Sequence, residues 1–252
     1  MALLLLENIT KRFGGLVAVD GVSFEIDAGE SIAIVGPNGS GKTTLFNVIS
    51  GVHSPDEGRV VFAGVDITGF PPYRRAPLGI GRTFQIPRPF SSATVRENVA
   101  VGALFGSLSG KVSADESLQI ADRYLGLVGL GPHAEKESGS LTPVEKKLME
   151  IARGLAMRPR LLLMDEALAG MHPKDVDGMV ALLKRIQAEE GIAMIAMVEH
   201  IMRAVVGFAE RVMVMHQGTK LLDAPTAEAL RDQRVIDIYL GQAVGDGSHA
   251  ES

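Results

Sequence analysis

An α/β fold is predicted for this chain: a mainly parallel central sheet, an added antiparallel β layer and an inserted helical subdomain. The parallel sheet is written in short apolar runs at residues 31–35, 161–164, 192–198 and 211–215. The later runs alternate with helical patterns, as strands covered by helices on both faces do. The antiparallel layer is written near the amino terminus, where runs at 3–9, 22–26 and 59–62 accompany short turns such as Asp27-Ala28-Gly29-Glu30. Between Pro87 and Pro159 strand patterns give way to consecutive helices.

Each element has its own local cause. The opening Met-Ala-Leu-Leu-Leu-Leu has no basic segment and meets Glu7 and Asn8 after four leucines, so it reads as a buried strand rather than a leader. Leu45, Val48 and Ile49 mark one face of a helix over residues 42–50. Three helix starts are capping boxes: Thr94 with Glu97, Ser113 with Glu116, and Thr142 with Glu145. From Asp175 onward, Val176, Met179, Val180, Leu183 and Ile186 fall on one helical face that can cover a sheet. Thr226, after Pro225, is placed to cap a final helical stretch ending near Leu240, and the glycine-rich tail beyond it is expected to be mobile.

Directly after the run Ser31-Ile32-Ala33-Ile34-Val35 comes Gly36-Pro37-Asn38-Gly39-Ser40-Gly41-Lys42-Thr43-Thr44. Gly36, Gly41, Lys42 and Thr43 satisfy G-x-x-x-x-G-K-[ST], the phosphate loop that wraps backbone N–H groups around a nucleoside triphosphate. Its lysine reaches the β and γ groups and its threonine hydroxyl ligates Mg²⁺. The helix that follows adds the partial positive charge of its N-terminus. Residues 161–166, Leu-Leu-Leu-Met-Asp-Glu, form an apolar strand that ends in two carboxylates. At the carboxyl end of a parallel strand beside a phosphate loop, Asp165 can hold the Mg²⁺ shell and Glu166 can face an attacking water. The fold class is therefore that of a P-loop NTPase. Its core is divided between 1–86 and 160–240 by a helical subdomain at 87–159, with a flexible tail at 241–252.

Composition narrows the partners. The 252 residues are 46% apolar and 22% charged, an ordinary globular balance. A net charge of −5 offers no electrostatic footprint for nucleic acid, which is not expected as a partner. Cysteine is absent and the six histidines show no zinc-ligand spacing, so disulfides and thiolate metal sites are excluded. No apolar stretch approaches the roughly 20 residues a membrane span needs, so any membrane location must come through a partner.

The order of motifs resembles that of ATP-binding subunits of ABC transporters, over nearly everything from Leu3 to Leu240. Lys11-Arg12-Phe13-Gly14-Gly15-Leu16-Val17-Ala18-Val19 matches the family's adenine-stacking stretch, with Phe13 as the aromatic. Phe84-Gln85 matches the loop whose glutamine meets Mg²⁺ and the catalytic water, and Val198-Glu199-His200 matches the switch histidine that contacts the γ-phosphate. The resemblance implies ATP and Mg²⁺ as ligands. Phe13, residues 36–44 and Thr142 would bind nucleotide; Thr43, Gln85 and Asp165 would hold the metal; Glu166, His200, Gln85 and Lys42 would serve hydrolysis.

It also implies integral-membrane permease partners, a second ATPase subunit (unlike or identical), indirect contact with a solute-binding protein, and a peripheral location on the cytoplasmic side of the inner membrane. Phe13 to Val19, Gly81 to Gln85, Val198 to His200 and Val235 to Gly241 are similar to segments of ATPases that serve branched-chain amino acid, amide or urea uptake.

Two departures stand out. Where the family has Leu-Ser-Gly-Gly-Gln, a helix start that offers its serine hydroxyl and N–H groups to ATP on the opposite subunit, this chain has Leu141-Thr142-Pro143-Val144-Glu145. Only the hydroxyl survives, while Pro143 lacks an N–H and Glu145 is expected to fold back onto the N–H of Thr142. Ala167 replaces the usual proline after Glu166, and His172 stands where an aspartate or asparagine is common. Unlike sites in a mixed dimer are the expectation. The alternatives are a regulatory subunit that binds nucleotide with little hydrolysis, and a non-transport ABC ATPase, whose usual coiled-coil insertion or tandem cassettes are missing here.

Overall fold

The computed structural model describes residues 2–106, 111–165, 170–197 and 207–238. Two sheets dominate. In the first, β1 (Leu4–Phe13) pairs antiparallel with β2 (Leu16–Ile26) on one side and β4 (Glu57–Phe62) on the other, and β5 (Val65–Asp66) closes the edge. The second has the order β10-β9-β3-β8-β7-β6, from Thr219–Pro225, Arg211–His216, Ser31–Val35, Ala193–Met197, Leu161–Asp165 and Ile80–Arg82. Every pair in it is parallel except β10 with β9.

The apolar runs are continuous because the central strands are buried on both faces. Side chains alternate along a strand, so Ile32, Ile34, Leu161, Leu163 and Met213 pack with the antiparallel sheet and α1 (Lys42–Ser50). Ala33, Val35, Leu162, Met164, Val212 and Val214 pack toward the helices on the other side. The first core takes in Leu4, Leu6, Phe24, Phe46 and Ile49. The second takes in Val99, Tyr124, Leu155, Val180 and Leu183.

The short helix α2 (Pro72–Arg75) ends on a fully buried arginine. Arg75 donates from Nη1 to Val48 O and Ile49 O at 2.7 and 2.8 Å, from Nη2 to Ile67 O and Thr68 O, and from Nε to Phe70 O. It thereby meets carbonyls at the C-terminus of α1, where Val48 O also accepts from the C-cap N–H of Gly51 at 3.2 Å. Burial lowers its pKa to about 10, which still leaves it protonated at neutral pH.

No strand is present between 83 and 160 among the described residues. Helices α3 (Val95–Phe105), α4 (Ala114–Leu127) and α5 (Pro143–Ala156) each begin with a complete capping box, on Thr94, Ser113 and Thr142 respectively. The next helix, α6 (Pro173–Glu190), starts two residues before the Asp175 expected from periodicity. Its N-cap is His172, whose Nδ1 accepts from Lys174 N at 3.3 Å. It stops at Gly191, whose φ of 66° is the left-handed conformation that ends helices.

Several elements depart from sequence expectation. β5, β6 and β10 carry no strong strand pattern, and the first two strands run on to Phe13 and back from Leu16 as a twisted hairpin. Thr226 is not a cap. It is the first residue of a short helix, Thr226–Ala229, and its buried hydroxyl donates to Ala209 O at 2.6 Å. That tertiary bond takes the hydroxyl from the capping role. The helical stretch is also broken around Asp232 and resumes at 233–238; Leu240 and the tail lie outside the described residues. Because five donors of Arg75 serve one buried site, Arg75→Leu should lower stability by about 3 kcal/mol or more. The midpoint of urea unfolding, read by circular dichroism, measures this.

Candidate functional site

The phosphate loop is shaped by main chain from two different sheets. A Cβ at Gly36 would overlap the carbonyl oxygen of Met215 on β9, and one at Gly41 would overlap that of Ala18 on β2. Both residues hold positive φ, 151° and 98°, so backbone conformation and lack of space each demand glycine. Gly41 is also the N-cap of α1, with no side chain closing the helix start. A helix start without a capping side chain is the arrangement that receives an anion.

Lys42 is buried, and its Nζ donates to Gly36 O at 2.8 Å and Pro37 O at 2.9 Å. The ammonium thus sits inside the curl of the loop. Ser40 anchors the loop from behind, its carbonyl accepting from Gly218 N at 3.1 Å. A cleft of about 480 Å³ is lined by residues 39–44 together with Phe13, Leu16, Val17, Ala18, Gln217 and Gly218. Phe13 ends β1 and is 43% exposed, with the His53 ring edge-on at 5.2 Å and Lys11 Nζ 5.6 Å from its ring centre. The fold therefore puts an accessible aromatic and the phosphate loop in one cleft.

Asp165 terminates β7 in a buried position. Its Oδ2 accepts from Arg82 Nη2 at 2.8 Å, while its Oδ1 is buried with no hydrogen-bond partner. The backbone N–H of Asp165 donates to Thr83 Oγ1, and Thr83 N donates to Leu163 O, so the ends of β6 and β7 are fastened together. Gln85 follows on an exposed loop. That loop is held by a carboxylate the sequence reading overlooked: buried Glu150 on α5 accepts from Phe84 N at 3.0 Å, from Arg88 N at 2.9 Å and from Arg153 Nη2. A carboxylate among Met149, Ile151, Ala152 and Leu155, on the apolar face of α5, was the available signal.

Thr142 stands at the start of α5 and lines no part of the cleft. Its N–H donates to Glu145 Oε2 at 2.8 Å, and its Oγ1 accepts from Glu145 N at 3.3 Å. The Thr142 backbone bond, then its hydroxyl, hold the Glu145 carboxyl below its usual range, and His133 Nδ1 lies 3.0 Å from its other oxygen. Glu166, Ala167, Val198, Glu199 and His200 lie outside the described residues. Among the described residues no cluster of three or more histidine and carboxylate side chains forms a metal site, and no helix is long and apolar enough to cross a membrane.

A glycine-framed lysine loop at a helix start, an acidic strand end beside it and an inserted set of helices define a nucleotide-binding cassette. The family profile of ABC transporters matches residues 19–169. The high-affinity branched-chain amino acid transport ATP-binding protein BraF of Pseudomonas aeruginosa is 35% identical, over 94% of this chain and 96% of its own length.

Among solved structures, a nucleotide-free ATP-binding cassette from an ABC transporter superposes with a TM-score of 0.85 at 34% identity, covering 95% of this chain and 99% of that one. A dimeric post-hydrolysis cassette bound to ADP and Pi superposes with a TM-score of 0.80 at 26% identity, over 88% and 98% of the two chains. This chain belongs to the ABC transporter family, as an ATP-binding subunit. Within that family it is an ATPase homologous to those of branched-chain amino acid importers.

Gly41→Ala should introduce about 1–3 kcal/mol of backbone strain before any overlap is counted. A fall in Tm of roughly 2–10 °C, read by scanning calorimetry, is expected, together with loss of the stabilisation that added ATP gives the native chain.

Proposed function

We propose that this chain binds and hydrolyses MgATP at an interface with a second ATP-binding subunit. Closure and release would drive import of branched-chain amino acids or related small solutes through membrane-embedded permease subunits. The observation that carries the reading is the loop of Gly36 to Thr44 closed around Lys42 and opening into the cleft beside Phe13. In this reading Phe13 stacks on adenine, the N–H groups of residues 39–44 hold phosphate oxygens, and Lys42 exchanges its two loop carbonyls for the β and γ groups.

Thr43, Gln85 and Asp165 would hold magnesium. The donor set fits a hard cation that keeps most of its coordination for water and phosphate: a hydroxyl, an amide oxygen and a carboxylate whose Oδ1 has acceptor capacity to spare. Held by these residues, magnesium would supply positive charge to offset the charge developing on the γ-phosphoryl group. Glu166 would orient the attacking water in line with the γ-phosphorus, and His200 would balance charge on the phosphoryl oxygens.

Coupling to the membrane follows from a groove of about 360 Å³ between the central sheet and the helical subdomain proposed at 87–159. Val52, Phe84, Phe90, Phe105 and Met157 line it, and Phe90 and Phe105 are more than half exposed. Apolar surface of this kind suits an amphipathic helix laid into a groove, here a cytoplasmic segment of the permease. The chain would then lie peripherally on the cytoplasmic side of the inner membrane, reached only indirectly by a solute-binding protein.

The start of α5 favours an unlike partner. In a head-to-tail pair, this helix start faces the partner's phosphate loop, yet Thr142 N is already engaged by Glu145, Pro143 has no N–H, and a carboxylate stands where phosphate would approach. A partner with an intact signature would complete this chain's site, and the reciprocal site would turn over slowly.

Glu166→Gln should retain ATP affinity while lowering kcat about 100-fold or more, in keeping with loss of general-base assistance; phosphate release under saturating MgATP reads it. Purified chain alone should hydrolyse ATP far more slowly than the chain mixed with its unlike partner. Equal rates would remove the composite-site reading.

A further inference from the structure

We infer that Arg82 is a positioning residue for the metal-facing carboxylate, acting through Asp165; the inference rests on the MgATP reading above. Its guanidinium joins three elements. Nη2 donates to Asp165 Oδ2 at 2.8 Å, and Nη1 donates to Asn47 Oδ1 at 2.7 Å and to Ser50 Oγ at 2.8 Å. The arginine and aspartate side chains are 10% and 6% exposed, so water does little to screen or replace the pair. The Phe84 ring lies 5.3 Å from the guanidinium carbon.

The consequence is an asymmetric carboxylate. Oδ2 is held, and buried Oδ1 has no partner, so Arg82 decides which oxygen is offered and in what orientation. Asn47 and Ser50 belong to the last two turns of α1, whose first turn carries Lys42 and Thr43. One planar fork therefore sets the acidic strand end against the phosphate-loop helix. A lysine, with a point charge and no fork, cannot meet all three acceptors in this arrangement. Arg82 also lines the apolar groove, so the proposed docking surface and the metal-facing carboxylate share one side chain.

The test uses the full chain and a non-hydrolysable ATP analogue, titrated without metal and across a range of magnesium concentrations. Arg82→Gln should raise the magnesium concentration for half-maximal enhancement of analogue binding about 10- to 100-fold, the range expected for partners of metal-holding groups. Metal-free affinity should be unchanged. Arg82→Lys should fall between native and Arg82→Gln, and Arg82→Gln should add no further shift in an Asp165→Asn background.

Should Arg82→Gln fail to fold, Asn47→Ala keeps both charges and removes one anchor of the fork; a smaller shift in the same direction is expected. An unchanged magnesium requirement in the folded variants, or an equal loss of metal-free and magnesium-dependent affinity, overturns the inference. A native chain with no magnesium-dependent affinity overturns the MgATP reading itself, and the inference with it.

Discussion

At Gly36 and Gly41 the main chain of two distant strands comes so near that no side chain fits. Met215 blocks one position from β9 and Ala18 blocks the other from β2. The phosphate loop is thus clasped between the central sheet and the antiparallel layer rather than hung from the end of β3 alone. Backbone bonds complete the clasp: Asp20 N donates to Gly218 O at 2.9 Å, and Gly218 N donates to Ser40 O at 3.1 Å. This gives the antiparallel layer a second role besides covering the core. It fixes the loop's curvature and, through the far end of β1, delivers Phe13 to the same cleft. Preorganisation of this kind means that little backbone ordering is left to oppose ligand binding.

Buried charges act as fasteners around this loop. Arg75 collects carbonyls from the end of α1 and the following turns; Arg82 joins β6, β7 and α1; Glu150 reaches from α5 to the amides of Phe84 and Arg88. Each is a charge removed from water and held by several hydrogen bonds, although Arg82 leaves its Nε buried without a partner. Together they confine the Gln85 loop between a core strand and the helical region. Movement of α5 relative to the sheet must therefore be felt at Phe84 and Arg88, which are bonded to Glu150 and line the apolar groove.

Two helix starts illustrate opposite uses of the same chemistry. α1 opens on Gly41 with no capping side chain, and its first residues line the cleft. α5 opens on Thr142 with a full capping box, its first residue is proline, and the Glu145 carboxylate covers the end. Helix termini attract anions only where their donors remain available and no negative side chain has taken the place. The first is built to receive phosphate, and the second is already satisfied by its own chain. The proposed inequality of the two sites in a mixed dimer rests on that difference.

The phosphate loop, the acidic end of β7 and the three capping boxes were legible because each is a local rule: a turn that needs glycine, an apolar run that ends in charge, a hydroxyl three residues from a carboxylate. The edge strands β6 and β10 were not, since a short edge strand is made by its neighbour's hydrogen bonds rather than by its own pattern. Thr226 shows the same limit, its hydroxyl drawn away by a carbonyl 17 residues earlier in the chain.

By itself, then, the sequence determined the fold class, the order of motifs and the residue types at the phosphate loop, all of which depend on chain neighbours. Only the tertiary structure decided that Arg82 meets Asp165, that Glu150 meets the amides of Phe84 and Arg88, and that Met215 and Ala18 forbid side chains in the loop. Those facts depend on contacts between segments tens of residues apart, and no local pattern encodes them.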